Sequence, residues 1–404
     1  MRKLEEHNRI SRQMKTEMKG HLEEKLLPFW KGLIDRENGG YFGYVDGQLQ
    51  IHKEAVKGCI LNSRILWFFS NAYLCLGDRE LEEYAAWAYV FLRDCFYDRE
   101  KGGLFWSVTC EGRVEDDGKH TYNQAFGVYA LAAYYRAFGE EEALLLAGKL
   151  VQVIEEKCFD QYGYKEAQTR DFGPADNEKL SENGVLADRT MNTLLHVLEA
   201  YTEYYRITRD LAVGEKLRYM LGLIEGKIYN SKLRRQEVFF DNEMHSLIDL
   251  HSYGHDIETA WLVDRCVEIL GDADWAGKMS PITKALAEQV YKEAYRSHSL
   301  ANECEKGVID ERRIWWVQAE GVTGFYNAWQ KTKEGRYLEA SADVWGFIRE
   351  HIVDKRPDGE WFWYTDEAGR PAVEAPEVEP WKCPYHNGRM CMEIMMRGEG
   401  SDAP

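Results

Sequence analysis

The chain has 404 residues with 69 acidic against 51 basic side chains, and its net charge of -18 repels phosphate backbones and anionic lipid surfaces, excluding nucleic acid and membrane as expected partners. Its 45% hydrophobic and 30% charged content suits a globular protein with a sizeable core. Nine cysteines, an odd number without a C-x-x-C pair, indicate neither a disulfide framework nor a zinc knuckle, and a reducing cytoplasm is the expected setting.

The first residues, MRKLEEHNRISRQMKTEMKG, lack the apolar segment of an export signal, and no run approaches the ~18 apolar residues of a membrane span. They are expected to form an extension (1–20) to one domain over 21–397, followed by a tail at 398–404. From residue 35 a local pattern recurs of Asp, a few polar residues, Gly and then aromatics: DRENGGYFGY (35–44), DREKGGLFW (98–106), DQYGYKEA (160–167) and PDGEWFWY (357–364). Glycine supplies the positive φ of a tight turn and the aromatics suit a brief strand, so each predicts a short hairpin. Between hairpins lie pairs of helical patterns. LNSRILWFFSNAYLCL (61–76) with ELEEYAAWAYVFLRDCF (80–96) repeats apolar residues every three to four positions, and similar couples follow from 123, 189, 255 and 316. About six such units predict an all-α fold, an (α/α)6 barrel with short β-hairpins in the connecting loops. An open α-solenoid is the competitor, but its repeats usually span ~33–47 residues and lack such hairpins.

Five strings carry candidate chemistry. In DLHSYGHDIETAW (249–261), His255 and Glu258 lie three apart at an expected helix start, where a carboxylate fixes an imidazole tautomer. A metal reading with His251, His255 and Glu258 is disfavoured because Gly254 interrupts the spacing and the order is not H-E-x-x-H. In PWKCPYHNGRM (380–390), two prolines bound a rigid, non-helical loop bearing Trp381, Tyr385, His386 and Arg389. Arg64 stands one turn from Trp67 on an apolar helix, costly unless it is paired or binds an oxygen-rich ligand. Asn192 and His196 share a helix face; His120 and Tyr122, then Trp315, Trp316 and Glu320, complete the set. Each string has a structural alternative: histidines satisfied in the core, a packing strap, a salt bridge at the rim. Thirteen tryptophans and twenty-four tyrosines favour a carbohydrate ligand, since sugars stack C–H faces on aromatic rings.

In one order along nearly the whole chain, LLPFWKGLIDRENGGYFGY, NSRILWFFSNAY, KHTYNQAF, ADRTMN, HSYGHDIETAWL, WWVQAE and PWKCPYHNGRMCMEI resemble the cellobiose 2-epimerases of the N-acylglucosamine 2-epimerase superfamily. The resemblance implies an (α/α)6 barrel and a cofactor-free, metal-free isomerase that inverts carbon 2 of the reducing-end glucose of β-1,4-linked disaccharides, cellobiose to glucosyl-mannose and lactose to epilactose. It implies His255 and His386 as the acid/base pair, Glu258 as partner of His255, and His196 assisting at the carbonyl. It implies Arg64, Tyr122 and Asn192 on the reacting sugar and Trp316 and Trp381 on the second ring, with Trp67 and Glu320 counted among the substrate-binding residues. Two bases on opposite faces of a planar enediolate suit such an inversion, and imidazole serves as acid or base near neutrality. No G-x-G-x-x-G follows a strand, so no nicotinamide is expected. The alternatives are an N-acylglucosamine 2-epimerase or mannose isomerase on the same scaffold, a glycoside hydrolase, or a non-catalytic sugar-binding protein. A monomer or weak homo-oligomer is expected.

Overall fold

The computed structural model describes residues 2–398; the expected tail, apart from Gly398, lies outside the described residues. Helix α1 (Arg2–His21) runs through a π-helical turn (Leu22–Leu26) into α2 (Leu27–Gly32). There follow α3 (Cys59–Leu76), α4 (Leu81–Phe91), α5 (Thr121–Phe138), α6 (Glu141–Lys157), α7 (Met191–Thr208), α8 (Leu211–Leu223), α9 (Tyr253–Leu270), α10 (Ala273–Glu293), α11 (Trp315–Thr332), α12 (Gly335–Phe347) and α13 (His386–Met396). The odd-numbered helices from α3 to α13 pack side by side and close on themselves as an inner ring, each backed by an outer helix. This is the expected (α/α)6 barrel. The inner helices carry long buried stretches, fourteen residues in α3 alone, whereas outer helices such as α6 bury one stripe, Ala143, Leu146, Ala147, Leu150 and Ile154. No helix among the described residues is long and apolar enough to cross a membrane.

Residues 5–21 are not a loose extension. Met14, Met18 and Leu22 are buried, Ser11 bonds the Tyr326 hydroxyl at 2.6 Å, and the Trp345 indole donates to Glu17 at 2.8 Å. Helix α1 packs on α12 and α13 and is the outer partner of α13, so the first and last helices together complete the ring. Its apolar stripe is one residue wide (Ile10, Met14, Met18, Leu22), too thin a signal to read as a barrel helix. Helix α10 carries Pro281 in its interior.

Short turns join each inner helix to its outer neighbour, and the connections back carry the hairpins. The inner-helix N-termini therefore gather at one end of the barrel with all the long loops. Two- or three-residue strands stand just before five inner helices and pair antiparallel with the following connection: Lys57 with Val108, Lys119 with Gln168, Arg189 with Phe240, His251 with Cys304 and Arg313 with Thr365. A bridge between Val45 and Val378 joins the last connection to the first.

In each of those five strands a buried basic residue sits two positions before the helix: Lys57, Lys119, Arg189, His251 and Arg313. The first three are held by the aspartate that opens a hairpin. Asp35 accepts the backbone N–H groups of Glu37 and Asn38 through one oxygen and the Lys57 ammonium through the other at 2.7 Å; Lys57 also donates to the Gly39 carbonyl. Asp98 does the same for Glu100, Lys101 and Lys119, and Asp160 holds Arg189 at 2.7 Å. Gly40 and Gly103, at φ 63° and 75°, let each of the first two hairpins fold back over its ammonium. The hairpins are thus latches that position the helix starts. Lys57→Met should strand the buried Asp35 carboxylate and destabilise the fold by about 3–5 kcal/mol in urea denaturation, while the double change Lys57→Met with Asp35→Asn should cost clearly less. Equal losses for both would show that the ion pair is not what holds this latch.

Candidate active site

The first two turns of the inner helices converge on a cavity of about 340 Å3. Arg64 enters from α3, Tyr122 from α5, Asn192 and His196 from α7, His255 and Glu258 from α9, Trp315 and Trp316 from α11, and His386 from α13, with Trp381 just ahead of it. Trp363, Lys179 and Arg312 close the rim. Of the residues singled out in the sequence, Trp67, His120, His251, Glu320, Tyr385 and Arg389 do not line the cavity. Trp67 stacks on Tyr129 at 5.4 Å and meets Tyr385 edge-on, behind the wall.

Arg389 lies beneath the cavity, 1% exposed, and forms its electrostatic centre. Its guanidinium donates to Glu199 at 2.5 Å, to Glu320 at 2.7 Å, and to Glu258 and the Tyr385 hydroxyl. Two of these carboxylates orient histidines. Glu199 meets Nδ1 of His196 at 2.9 Å and Glu320 meets Nδ1 of His386 at 2.7 Å. An ionised carboxylate only accepts, so each Nδ1 carries the proton and each Nε2 keeps its lone pair. His255 is held differently, with the Ser252 hydroxyl 2.7 Å from its Nδ1.

The expected partnership of Glu258 with His255 is therefore not the one the fold makes. His255 is the third residue of α9 and bonds back to Ser252, three positions earlier, while Glu258 faces Arg389 and stands 4.0 Å from Nδ1 of His386. The i, i+3 imidazole–carboxylate pair exists one helix earlier, at His196 and Glu199, where the same spacing rule would have found it. The 380–390 segment also differs from a loop: α13 starts at His386, which places this imidazole at a helix N-terminus. Glu199 and Ser252 were not singled out by the sequence, and the scaffolding role of Arg389 was not visible there.

The three carboxylates outnumber the one guanidinium. Burial raises Glu258 well above the usual carboxylate range, as does the adjacent Glu320; burial likewise raises Glu320. Glu199 is also penalised by burial, but Arg389 and the His196 hydrogen bond outweigh this and hold it at about 2. The imidazoles go the other way. Burial, with His196 nearby, lowers His255 to about 3; burial and then Arg389 and Arg64 push His386 well below its ordinary value, and burial lowers His196 despite Glu199. All three are held neutral near pH 7.

Arg64 is 2% exposed and has no carboxylate partner among the described residues. It donates to the Tyr122 hydroxyl at 2.9 Å and to the Trp381 carbonyl at 3.3 Å, and lies 4.2 Å and 4.6 Å from the Phe126 and Tyr385 ring centres. A buried, uncompensated guanidinium on a cavity wall is a receptor for an oxygen-rich or developing negative group. Glu258, Glu320 and His386 come close enough to hold a cation, but Arg389 bonds both carboxylates and supplies the positive charge there already.

His255 has a folded-state value of about 3, far below its ~6.5 in an unfolded chain. The folded state binds fewer protons, so the residue's contribution to stability is complete above ~6.5 and is lost as pH falls toward 3, at about 1.4 kcal/mol per pH unit. Urea denaturation should show the parent losing stability relative to His255→Gln at about that slope between pH 6.5 and 5. A pH-independent difference would show that His255 titrates normally.

The family model for N-acylglucosamine 2-epimerase matches residues 40–387. The chain is 49% identical over 393 residues to the cellobiose 2-epimerase of Eubacterium cellulosolvens, covering 93% of this chain and 97% of that one. It is 46% identical to the cellobiose 2-epimerase of Ruminococcus albus (95% and 99% covered). The solved cellobiose 2-epimerase of Bacillus thermoamylovorans B4167 superposes with a TM-score of 0.92 at 43% identity, covering 95% of this chain and 99% of that one. With its barrel, its three tethered histidines and this continuous match, the chain is an epimerase and belongs to the N-acylglucosamine 2-epimerase family.

Proposed function

We propose that this chain inverts carbon 2 of the reducing-end glucose of β-1,4-linked disaccharides, interconverting cellobiose with glucosyl-mannose and lactose with epilactose through an enediolate. The observation that carries this reading is the placement of two neutral imidazoles against one indole. The ring of Trp316 lies 4.9 Å from His255 and 5.4 Å from His386, and all three line the same cavity as Arg64. The reading also rests on the similarity to relatives named for cellobiose.

The proton on carbon 2 is acidic only in the open-chain aldehyde with its oxygen polarised. Arg64, with the Tyr122 hydroxyl it holds, stabilises the charge that develops on that oxygen, and His196 moves the proton there. His386 abstracts in one direction through Nε2, its Nδ1–H anchored on Glu320 so that the imidazolium formed is stabilised at once. His255 returns a proton to the opposite face, and the roles exchange in reverse. Burial holds both rings neutral, so the donor takes its proton from solvent only as the enediolate charge develops beside it. Trp381 and Trp316 carry the second sugar ring.

Cellobiose incubated in heavy water should give glucosyl-mannose with deuterium on carbon 2, read by mass spectrometry and NMR. Turnover without solvent deuterium would sink the two-base scheme. His255→Ala and His386→Ala should each lower kcat by at least ~10²-fold; near-normal turnover removes that residue from the role.

Gly254 keeps Trp316 in place. A Cβ there would lie 2.5 Å from the Trp316 ring and 2.8 Å from Val317, so the indole packs where only glycine allows. Gly254→Ala, harmless to helix formation at the second residue of α9, should displace the indole from its contacts with the two histidines and lower kcat/KM by about tenfold or more with little change in Tm. Kinetics within twofold of the parent would show that the ring is not fixed by this contact.

A further inference from the structure

The last repeat departs from the aspartate latch of the first three. Its hairpin aspartate, Asp354, is taken by Arg356, and the residue two before α13 is Pro384 rather than a cation. The buried cation has moved back to Lys382, and it pairs with Glu360 on the far strand of the hairpin at 3.2 Å. Glu360 and Lys382 are both 1% exposed, and neither lines the cavity.

The two oxygens of Glu360 serve different parts of the chain. Oε2 accepts from Lys382; Oε1 accepts from the side-chain amide of Asn387 at 2.5 Å and from the Trp30 indole at 3.2 Å. Lys382 follows Trp381 directly, and Asn387 follows His386 directly. One carboxylate thus clips both ends of the segment 382–387, and the residue ahead of each clipped end is one that faces the cavity. The outer side of the segment has few other fixed polar contacts: Lys382 also donates to the Glu377 carbonyl at 2.8 Å, and Glu379 caps the N–H groups of Trp381 and Lys382. On the inner side Arg64 holds the Trp381 carbonyl and the Cys383 sulfur.

We infer that Glu360 is a positioning residue for the site, its single carboxylate fixing the spacing and orientation of Trp381 and His386 through Lys382 and Asn387. It acts at one remove, touching neither sugar nor reacting atoms. The inference rests on the proposed roles of Trp381 and His386. The two arms of the clip separate by chemistry: the Asn387 arm sets His386, on which turnover depends, and the Lys382 arm sets Trp381, on which binding of the second ring depends.

Two variants separate them. Asn387→Ala cuts the His386 arm alone. The double variant Glu360→Gln with Lys382→Met removes both buried charges together, leaves no ion unpaired, and keeps a carbonyl for Asn387 and Trp30. Steady-state kinetics on cellobiose should show Asn387→Ala lowering kcat by about tenfold or more with KM within about threefold. The double variant should raise KM by about fivefold or more with kcat within about twofold. In parallel, the ring N–H proton signal of His386 in the sugar-free protein, assigned by its loss in His386→Gln, should shift or broaden in Asn387→Ala and persist in the double variant. Folded variants with both constants within twofold of the parent and an unchanged His386 signal overturn the inference, as does a loss confined to Tm. If one variant fails to fold, the other still decides its own arm. A parent that converts no disaccharide would overturn the proposed function, while the His386 signal of Asn387→Ala would still decide the clip.

Discussion

Arg389 is the interaction on which the arrangement of the site depends. A guanidinium buried at 1% exposure must find acceptors, and it finds them on three other inner helices, Glu199 of α7, Glu258 of α9 and Glu320 of α11. Those carboxylates in turn need donors, and two of them take the Nδ1–H of a cavity histidine. One charge therefore ties four helices together and selects the tautomer of two imidazoles that line the cavity. Burial, with Glu320 beside it, raises Glu258, so the cluster holds less negative charge than three ionised carboxylates would, while Glu320, bonded by Arg389 and Trp261, accepts the His386 Nδ1–H.

The barrel makes that convergence possible. Long connections all emerge at the end where the inner helices begin, so residues in the first two turns of six separate helices face one another although they span Arg64 to Arg389. The aspartate latches on α3, α5 and α7 and the rim strands before five inner helices fix the angle at which those helices start, which decides where the side chains of their first turns stand. The last repeat replaces that latch with the Glu360–Lys382 pair, and it is also the repeat that supplies Trp381 and His386.

The sequence was most informative where a pattern is local. Helix couples, hairpins at Asp-x-x-x-Gly and the polar strings at 249–261 and 380–390 were legible because each is a short-range matter of periodicity, turn geometry or residue type. Arg64 was legible as an anomaly, a charge on an apolar helix. The error at Glu258 was also local: spacing brings two residues to one face of a helix, but which neighbour a carboxylate chooses depends on what lies across the barrel, and Arg389 is 131 positions away in the chain. Trp67 was misplaced for the same reason, since a helix face buried in the wall and a face turned to the cavity carry similar aromatic residues.

The sequence by itself determined the helical repeat, its number, the short hairpins and the identity of the histidines at the helix starts, because these follow from local propensity and from apolar periodicity along one segment. Tertiary structure alone decided that α1 closes the ring, that Glu199 and Glu320 rather than Glu258 hold the imidazoles, and that one carboxylate clips both ends of the segment before α13. Each of these is a pairing of buried charges from distant parts of the chain, and a buried charge is satisfied by whatever partner the closed barrel brings within hydrogen-bond reach.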